Sequence, residues 1–412
     1  MVHQDSSCGD AILQSRTVRF GKIVRLDVRN LIAAIGLFSI GYSMLIFAIP
    51  LFAVAVGSTQ TQLGFIALVY TLPSFLMPLA LGRFLDRTKA VKVIQLAMAA
   101  YAIPTLLFPY GSSFVQVAGI RAVQGFFGIA FWVAAEKELA DLAVHGERGR
   151  IMGFYNMSWA AAFIVGPFIG GFLIDIFDFR TTFIVAFLSQ VAALGLLITL
   201  KPREVHTGDS PVATPIVEEK KIHIERRWEP GDLLAACLTS AMTGVVLGIL
   251  FSLFPAYVTF LGYSALWAGF FILIFSASRA ATFLGVGIVT DRIGERRFML
   301  AGMMLSISVM ILGLTSKAEL LGLGLLVLGV ASGMTFTAAL TLISRSPSKV
   351  RGSAIGKFEF SFNLGIAVMS QLGGFSADAL GSWSPYVLCG AITLLGSVAL
   401  LARYLMVRQR PA

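Results

Sequence analysis

Three ionisable side chains lie within long apolar stretches of the sequence. Arg121, Arg279 and Glu359 each have mostly apolar residues on both sides. A charge at the centre of a bilayer costs about 3 kcal/mol on insertion scales unless it faces a partner or a water-filled cavity. Such side chains can bind a charged solute or exchange a proton. We therefore treat all three as candidates for coupling or substrate binding.

Arg121 is accompanied by an amide on the same helix face. Gln124 follows it at position i+3, so the two side chains are neighbours on a helix. This pairing predicts a role in handling a proton or a substrate. The alternative is a structural arginine whose guanidinium donates to carbonyl groups near a helix end.

Arg279 and Glu359 form a second candidate pair. Arg279 precedes Asp291 by 12 residues, about 18 Å of helix, and Glu359 follows Arg351 by eight, about 12 Å. If their helices are neighbours, the arginine can reach the carboxylate. We hypothesise a cross-helix ion pair that faces a cavity, with Glu359 as the acid that titrates. A static packing pair is the alternative.

The residues that we expect to line this cavity are mostly aromatic, and Asn156 is one of their few polar members. Such a lining suits an amphiphilic or apolar ligand better than a sugar. The set comprises Tyr42, Phe47, Tyr70, Trp132, Tyr155, Asn156, Trp159, Phe251, Phe336, Phe358 and Asn363.

Nothing in the sequence predicts catalysis. There is no phosphate-binding glycine loop and no nucleophile beside a base, and Cys8, Cys237 and Cys389 lack metal-ligand spacing. We predict that the protein is not an enzyme and that it has no metal site and no cofactor.

The elements that position these residues are membrane-spanning helices. The chain has 412 residues, of which 57% are hydrophobic and 13% charged, whereas about a quarter of residues are charged in soluble domains. It contains twelve apolar segments long enough to cross a bilayer. Most Lys and Arg residues fall in the tails and in alternate loops. This distribution predicts cytoplasmic termini and argues against nucleic-acid binding, which the net charge of +10 could otherwise suggest.

The chain repeats itself. Gly57 and Gly262 are separated by 205 positions, as are many residues around them, and the separation becomes 203 further along, as between Asp175 and Asp378. We therefore predict an all-α membrane protein of twelve transmembrane helices in two six-helix bundles. The predicted units are a basic N-terminal tail (1–29), the first bundle (30–200), a cytoplasmic linker (201–230), the second bundle (231–406) and a C-terminal tail (407–412).

A charged hexapeptide marks equivalent turns in the two halves. Gly-Arg-Phe-Leu-Asp-Arg ends at residue 87, and Gly-Ile-Val-Thr-Asp-Arg ends at residue 292. With the 6+6 organisation, this resembles the major facilitator superfamily. The resemblance covers residues 30–406 and implies a substrate site between two bundles that work by alternating access. It also implies a role in conformational gating for Gly82, Asp86, Arg87, Gly287, Asp291 and Arg292.

The first copy of the loop departs from the family pattern. Lys89 stands where a glycine is expected, and Ala90 where a basic residue is usual. In the family, a loop arginine bridges the aspartate to an acid at the end of the fourth helix. Glu136 or Glu138 could be that acid here. The alternative is that the loop only fixes topology and turn geometry.

The fifth helix carries Gly-Pro-Phe-Ile-Gly-Gly, in which Gly166, Pro167, Gly170 and Gly171 are predicted to permit a bend. This stretch is similar to a signature found mainly in exporters of the antiporter type. Ordinary helix packing is the alternative explanation for its glycines.

These features predict a monomeric secondary transporter of the cytoplasmic membrane that exports small amphiphilic compounds in exchange for protons. The expected partners are the solute, protons and the lipid bilayer, and the proton gradient supplies the energy. The alternative is a proton-coupled symporter or a uniporter for an organic solute. A third hypothesis is a sensor on the same fold that does not transport.

Overall fold

The computed structural model describes residues 6–85, 87–142, 148–198 and 230–408. All regular secondary structure in these ranges is helical. The helices are α1 (Ser6–Ala55), α2 (Gln60–Thr71), α3 (Pro73–Leu76), α4 (Pro78–Leu85), α5 (Ala90–Thr105), a 3-10 turn (Phe108–Tyr110), α6 (Phe114–Leu142), α7 (Arg148–Ile176), α8 (Phe179–Ile198), α9 (Pro230–Ser252), α10 (Phe254–Phe260), α11 (Ala265–Ile293), α12 (Glu295–Ser306), α13 (Val309–Leu314), α14 (Ala318–Ser344), α15 (Ser348–Leu380) and α16 (Ser384–Arg408).

Ten helices of the described chain are long and apolar enough to cross a membrane. The other two predicted spans are also helical. One is divided into α2, α3 and α4, and Pro73 and Pro78 begin the second and third pieces. The other is α15, whose continuous helix carries more polar residues. The predicted class, an all-α membrane protein, is confirmed, and the described helices are consistent with twelve spans.

The helices form two halves, α1–α8 and α9–α16. In the first half α1 packs against α7 and α8, and α5 packs against α6; in the second, α9 packs against α15, and α11 and α12 pack against α14. Fully buried rings such as Phe38, Phe131 and Tyr101 fill the first core, and Phe254, Phe271 and Tyr386 fill the second. The halves meet where α2 packs on α15 and where α7 packs on α11.

The repeat seen in the sequence is present in the backbone. Gly57 and Gly262 have φ values of 85° and 91°, a conformation that favours glycine. Each ends a helix with paired bonds of the Schellman type, in which the next residue donates back to Ala53 or Val258.

The two charged loops differ in the backbone. Gly294 has a φ of 88°, whereas Lys89 at the equivalent position has a φ of −74°. Because a lysine is strained at positive φ, the first loop takes another path. The departure noted in the sequence is therefore also a difference in turn geometry.

Two predicted boundaries differ from the observed helices. Helix α1 begins at Ser6, so it includes most of the predicted tail of residues 1–29, and α16 continues to Arg408. The predicted linker lies outside the described residues except for Pro230. We call the end of the molecule that carries the two charged loops the motif end, and the opposite end, with Gly57 and Gly262, the distal end.

Candidate functional site

Arg121 lies in a buried polar network inside the first half. It is seven residues into α6 and only 5% exposed, and its guanidinium carbon stands 3.8 Å from the centre of the Tyr70 ring. Its Nη1 donates to Gln124 Oε1 at 3.1 Å. A desolvated cation–π contact contributes about 2 kcal/mol, so the ring offsets part of the cost of burying the charge. Gly125 makes the approach possible, because a Cβ there would lie 2.3 Å from the Tyr70 carbonyl oxygen.

The network continues through residues that were not singled out in the sequence. Gln124 Nε2 donates to Thr105 Oγ1 at 3.1 Å, and the Thr105 hydroxyl lies 3.2 Å from Gln190 Oε1. The network therefore joins α6, α5 and α8. The signal for Thr105 and Gln190 was present, since each is a polar residue within an apolar helix. The predicted association of Arg121 with Gln124 is present, and its role in coupling stays a prediction.

Arg279 and Glu359 do not form the predicted ion pair in this structure. The Arg279 guanidinium carbon lies 5.3 Å and 5.6 Å from the ring centres of Phe283 and Phe336, and its Nε has no hydrogen-bond partner in the part of the chain that the structure describes. The assumption that failed is that the two helices are neighbours. Helix α11 packs mainly against α14 and α7, whereas α15 packs mainly against α9 and α2.

Glu359 instead lies near a carboxylate of the other half. It is close enough to Glu136 on α6 for their like charges to interact. Glu136 Oε1 accepts a hydrogen bond from the Tyr155 hydroxyl at 2.9 Å, and Tyr155 is buried in α7. Both glutamates are exposed although they lie between the two halves. The sequence offered Glu136 as a partner for a loop arginine; in the structure its described partner is Tyr155.

Some of the predicted lining residues form an aromatic path between the two halves. Asn156 is exposed, and its Oδ1 accepts from Trp159 Nε1 at 3.3 Å. The Trp159 ring contacts the Phe163 ring on α7, and the centre of the Phe163 ring lies 5.7 Å from that of Phe251 on α9. Aromatic side chains thus connect the two halves, and Phe163 was missing from the predicted set.

The predicted gating residues are described only in part. Asp86 lies outside the described residues, and for Gly287, Asp291 and Arg292 only the backbone is described, as part of α11. Gly82 has open space around it and Arg87 is exposed. The gating roles remain predictions.

Two ion pairs described at the motif end lie within the second half. Arg296 Nη2 is 2.6 Å from Asp232 Oδ1, and Arg345 Nη2 pairs with the buried Glu295. They join α12 to α9 and to the residue that follows α14. Both pairs therefore lie inside one bundle and do not connect it to the other.

The small residues of α7 serve close helix contacts. A Cβ at Gly166 would meet the Ser43 hydroxyl of α1, and one at Gly171 would lie 2.3 Å from the Ala265 carbonyl oxygen of α11. Gly170 lies against Phe47, and Pro167 is inside α7 without ending it. Packing accounts for these glycines, and the predicted bend stays a prediction.

The architecture and sequence match one family across the chain. Residues 31–287 and 273–412 match the model of the Major Facilitator Superfamily. The chain belongs to the major facilitator superfamily. It is therefore a transporter of small-molecule substrates and not an enzyme, as the sequence predicted.

Relatives with curated names are distant. An uncharacterized MFS-type transporter of Methanocaldococcus jannaschii is 22% identical over 82% of this chain and 87% of its own. The staphylopine export protein of Staphylococcus aureus is 21% identical over 84% and 88%. A multidrug efflux pump of Mycolicibacterium smegmatis is 26% identical over 43% and 35%. A crystal structure of a nucleoside transporter covers 92% of this chain and 99% of its own with a TM-score of 0.76 at 12% identity, which shows the shared fold.

Proposed function

We propose that this transporter exports small amphiphilic compounds in exchange for protons and that it works by alternating access as a monomer in the cytoplasmic membrane. The motif end faces the cytoplasm, where the basic loops favour it, and the proton gradient supplies the energy. The observation that carries the proposal is the position of Glu136 and Glu359, one on each half, both exposed and close enough for their like charges to interact.

Two close carboxylates on different halves can couple proton binding to conformation. When both are ionised, their repulsion disfavours the arrangement that brings them together. One proton removes that repulsion, so the relative stability of the two arrangements depends on protonation. Tyr155 orients the first carboxylate through its hydroxyl. A cationic or strongly amphiphilic solute that enters between the halves would compete with that proton.

The lining and the relatives support an amphiphilic substrate and export. Aromatic rings from both halves contact each other, and Asn156 is a polar group next to them. Two of the relatives are named as an export protein and a multidrug efflux pump. The similarity of Gly166–Gly171 to the exporter signature points the same way.

Uptake of an organic solute by symport or uniport is the second candidate. The observation that favours it is the buried Arg121, whose described partners are the neutral Gln124 and the Tyr70 ring. An unpaired cation of this kind could receive the carboxylate of an incoming solute.

Substrate accumulation in proteoliposomes separates the two. The purified protein is reconstituted, and permanently charged lipophilic cations such as ethidium, sugars and organic acids are offered outside at opposite pH gradients. Export by proton exchange predicts ethidium accumulation only when the lumen is acidic, and loss of accumulation in Glu359→Gln. Glu319→Gln, an exposed acid at the start of α14, is the matched control and should retain activity.

The result that would overturn export is accumulation only when the lumen is alkaline, since the solute then enters together with protons. Accumulation that is independent of the gradient would indicate a uniporter. Absence of flux for every solute class, with protein that is folded and monodisperse, would favour the sensor.

A further inference from the structure

Two aspartates at the distal end each hold the start of a helix in the other half. Asp175, in the last turn of α7, accepts from the backbone N–H groups of Ala265 at 3.0 Å and Leu266 at 2.9 Å, at the start of α11. Asp378, near the end of α15, accepts from Gln60 at 3.0 Å and Thr61 at 2.8 Å, at the start of α2. The first-turn N–H groups of a helix lack partners in their own helix, and the helix dipole favours an anion there.

The two contacts are equivalent under the internal repeat. Asp175 and Asp378 are 203 positions apart, and Gln60 and Ala265 are 205 apart. The first half caps a helix of the second, and the second half caps the equivalent helix of the first. The arrangement is therefore reciprocal across the boundary between the bundles.

A glycine four residues before each aspartate allows the close approach. A Cβ at Gly171 would lie 2.3 Å from the Ala265 carbonyl oxygen, and one at Gly374 would lie 2.2 Å from that of Gln60. Each pair forms the pattern Gly-x-x-x-Asp, so glycine and carboxylate lie on one helix face. Nearer the middle of the bilayer, Gly64 and Gly269 meet backbone oxygens of Ser370 and Pro167 in the same manner.

We propose that Asp175 and Asp378 are paired latches that hold the distal end closed, and that this end opens only when all four N–H bonds are broken. The inference rests on alternating access in the proposed function but not on the substrate or on the direction of transport. Each carboxylate makes two charge-assisted bonds, which are about twice as strong as neutral ones. In the open state the same groups would bind water, so only part of that strength shifts the equilibrium.

The expected effect is about a tenfold rise in the ratio of open to closed distal ends for Asp175→Ala or Asp378→Ala, and about a hundredfold for both together. The two single variants should act alike because the contacts are equivalent. The corresponding asparagine variants should have smaller effects, since an amide keeps one acceptor oxygen.

Asp178 provides a matched control at the same end. Its Oδ1 accepts from the Thr181 backbone N–H at 2.6 Å, which caps α8 within the first half. The hydrogen bonds from the Thr181 backbone and side chain lower the pKa of Asp178, so this carboxylate is ionised at neutral pH. Asp178→Asn removes a carboxylate cap without touching the boundary between the halves.

The test measures the distance between the halves directly. The full chain, with its three native cysteines replaced, is spin-labelled at Ser112 and Lys317, both exposed at the distal end, one in each half. Double electron–electron resonance in lipid nanodiscs without substrate gives the distance distribution. The latch variants should gain a population at longer distance, and Asp178→Asn should match the unsubstituted protein.

Two results would overturn the inference: an unchanged distribution in the double alanine variant, or an equal change in Asp178→Asn. If the alanine variants do not fold, the asparagine variants carry the same prediction with a smaller shift. The distance measurement needs no transport, so it can confirm the latches even if the export assay fails. Equally, the export assay can succeed if the latch variants show no change in distance.

Discussion

The polar network around Gln124 predicts that the same substitution has very different effects on stability at two buried glutamines. Gln124 is fully buried and joins Arg121 to Thr105 through bonds of 3.1 Å each. Gln190 is equally buried, but among the described residues its amide oxygen accepts only from the Thr105 hydroxyl at 3.2 Å and its Nε2 has no hydrogen-bond partner. Leucine has a similar volume to glutamine, so either replacement mainly removes polar groups.

The magnitudes follow from the groups left behind. Gln124→Leu leaves a buried guanidinium N–H without its acceptor and removes the bond to Thr105, which should cost about 3 kcal/mol of unfolding free energy. Gln190→Leu removes an unsatisfied donor, and the Thr105 hydroxyl can turn toward the Tyr101 carbonyl oxygen 3.5 Å away. Its effect should therefore stay within about 1 kcal/mol of zero and can be stabilising.

Reversible unfolding in mixed detergent micelles, followed by tryptophan fluorescence, measures both variants against the unsubstituted protein. A loss of stability in Gln190→Leu as large as that in Gln124→Leu would refute the reasoning. It would mean that shape, and not hydrogen bonding to Arg121, determines the contribution of these glutamines.

Four further predictions concern other parts of the protein. Gly171→Ala places a Cβ 2.3 Å from a backbone oxygen and should lengthen the distance between the spin labels at Ser112 and Lys317. Gly195→Ala meets open space and should leave that distance unchanged. The same distance change in both variants would contradict the packing argument. Arg345→Ala leaves the buried Glu295 unpaired and should cost about 3 kcal/mol in the same unfolding assay, and a negligible cost would show that water satisfies this carboxylate. Tyr155→Phe removes the donor to Glu136 and should lower ethidium flux about tenfold, while Tyr110→Phe at the exposed distal surface should leave flux intact. A cysteine at Thr88 should react with an impermeant maleimide only from the cytoplasmic side and one at Lys317 only from outside; the opposite pattern would invert the proposed orientation.

The fold was predictable because its signals are local. Apolar length indicates each span, and the spacing between Gly57 and Gly262 indicates the repeat. The turn at Lys89 was also foreseeable, since a lysine cannot take the backbone path of Gly294 without strain.

The sites were less predictable because they depend on which helices are neighbours. The ion pair between Arg279 and Glu359 required α11 to contact α15, and height along a helix says nothing about lateral position. Glu136 and Glu359 come from different halves, so nothing in their sequence neighbourhoods connects them. Asp175 and Asp378 were visible as a repeated pair, but their contacts with backbone groups of the other half required the packed structure.

Exchange of substrate for protons is the central claim, and the most direct test is the pH of the lumen when substrate enters. Proteoliposomes with a trapped pH indicator and equal pH on both sides receive ethidium outside. Antiport predicts that the lumen becomes alkaline as protons leave, and that Glu359→Gln abolishes the change while Glu319→Gln keeps it. An acidified lumen, or ethidium entry with no proton movement, would contradict the claim.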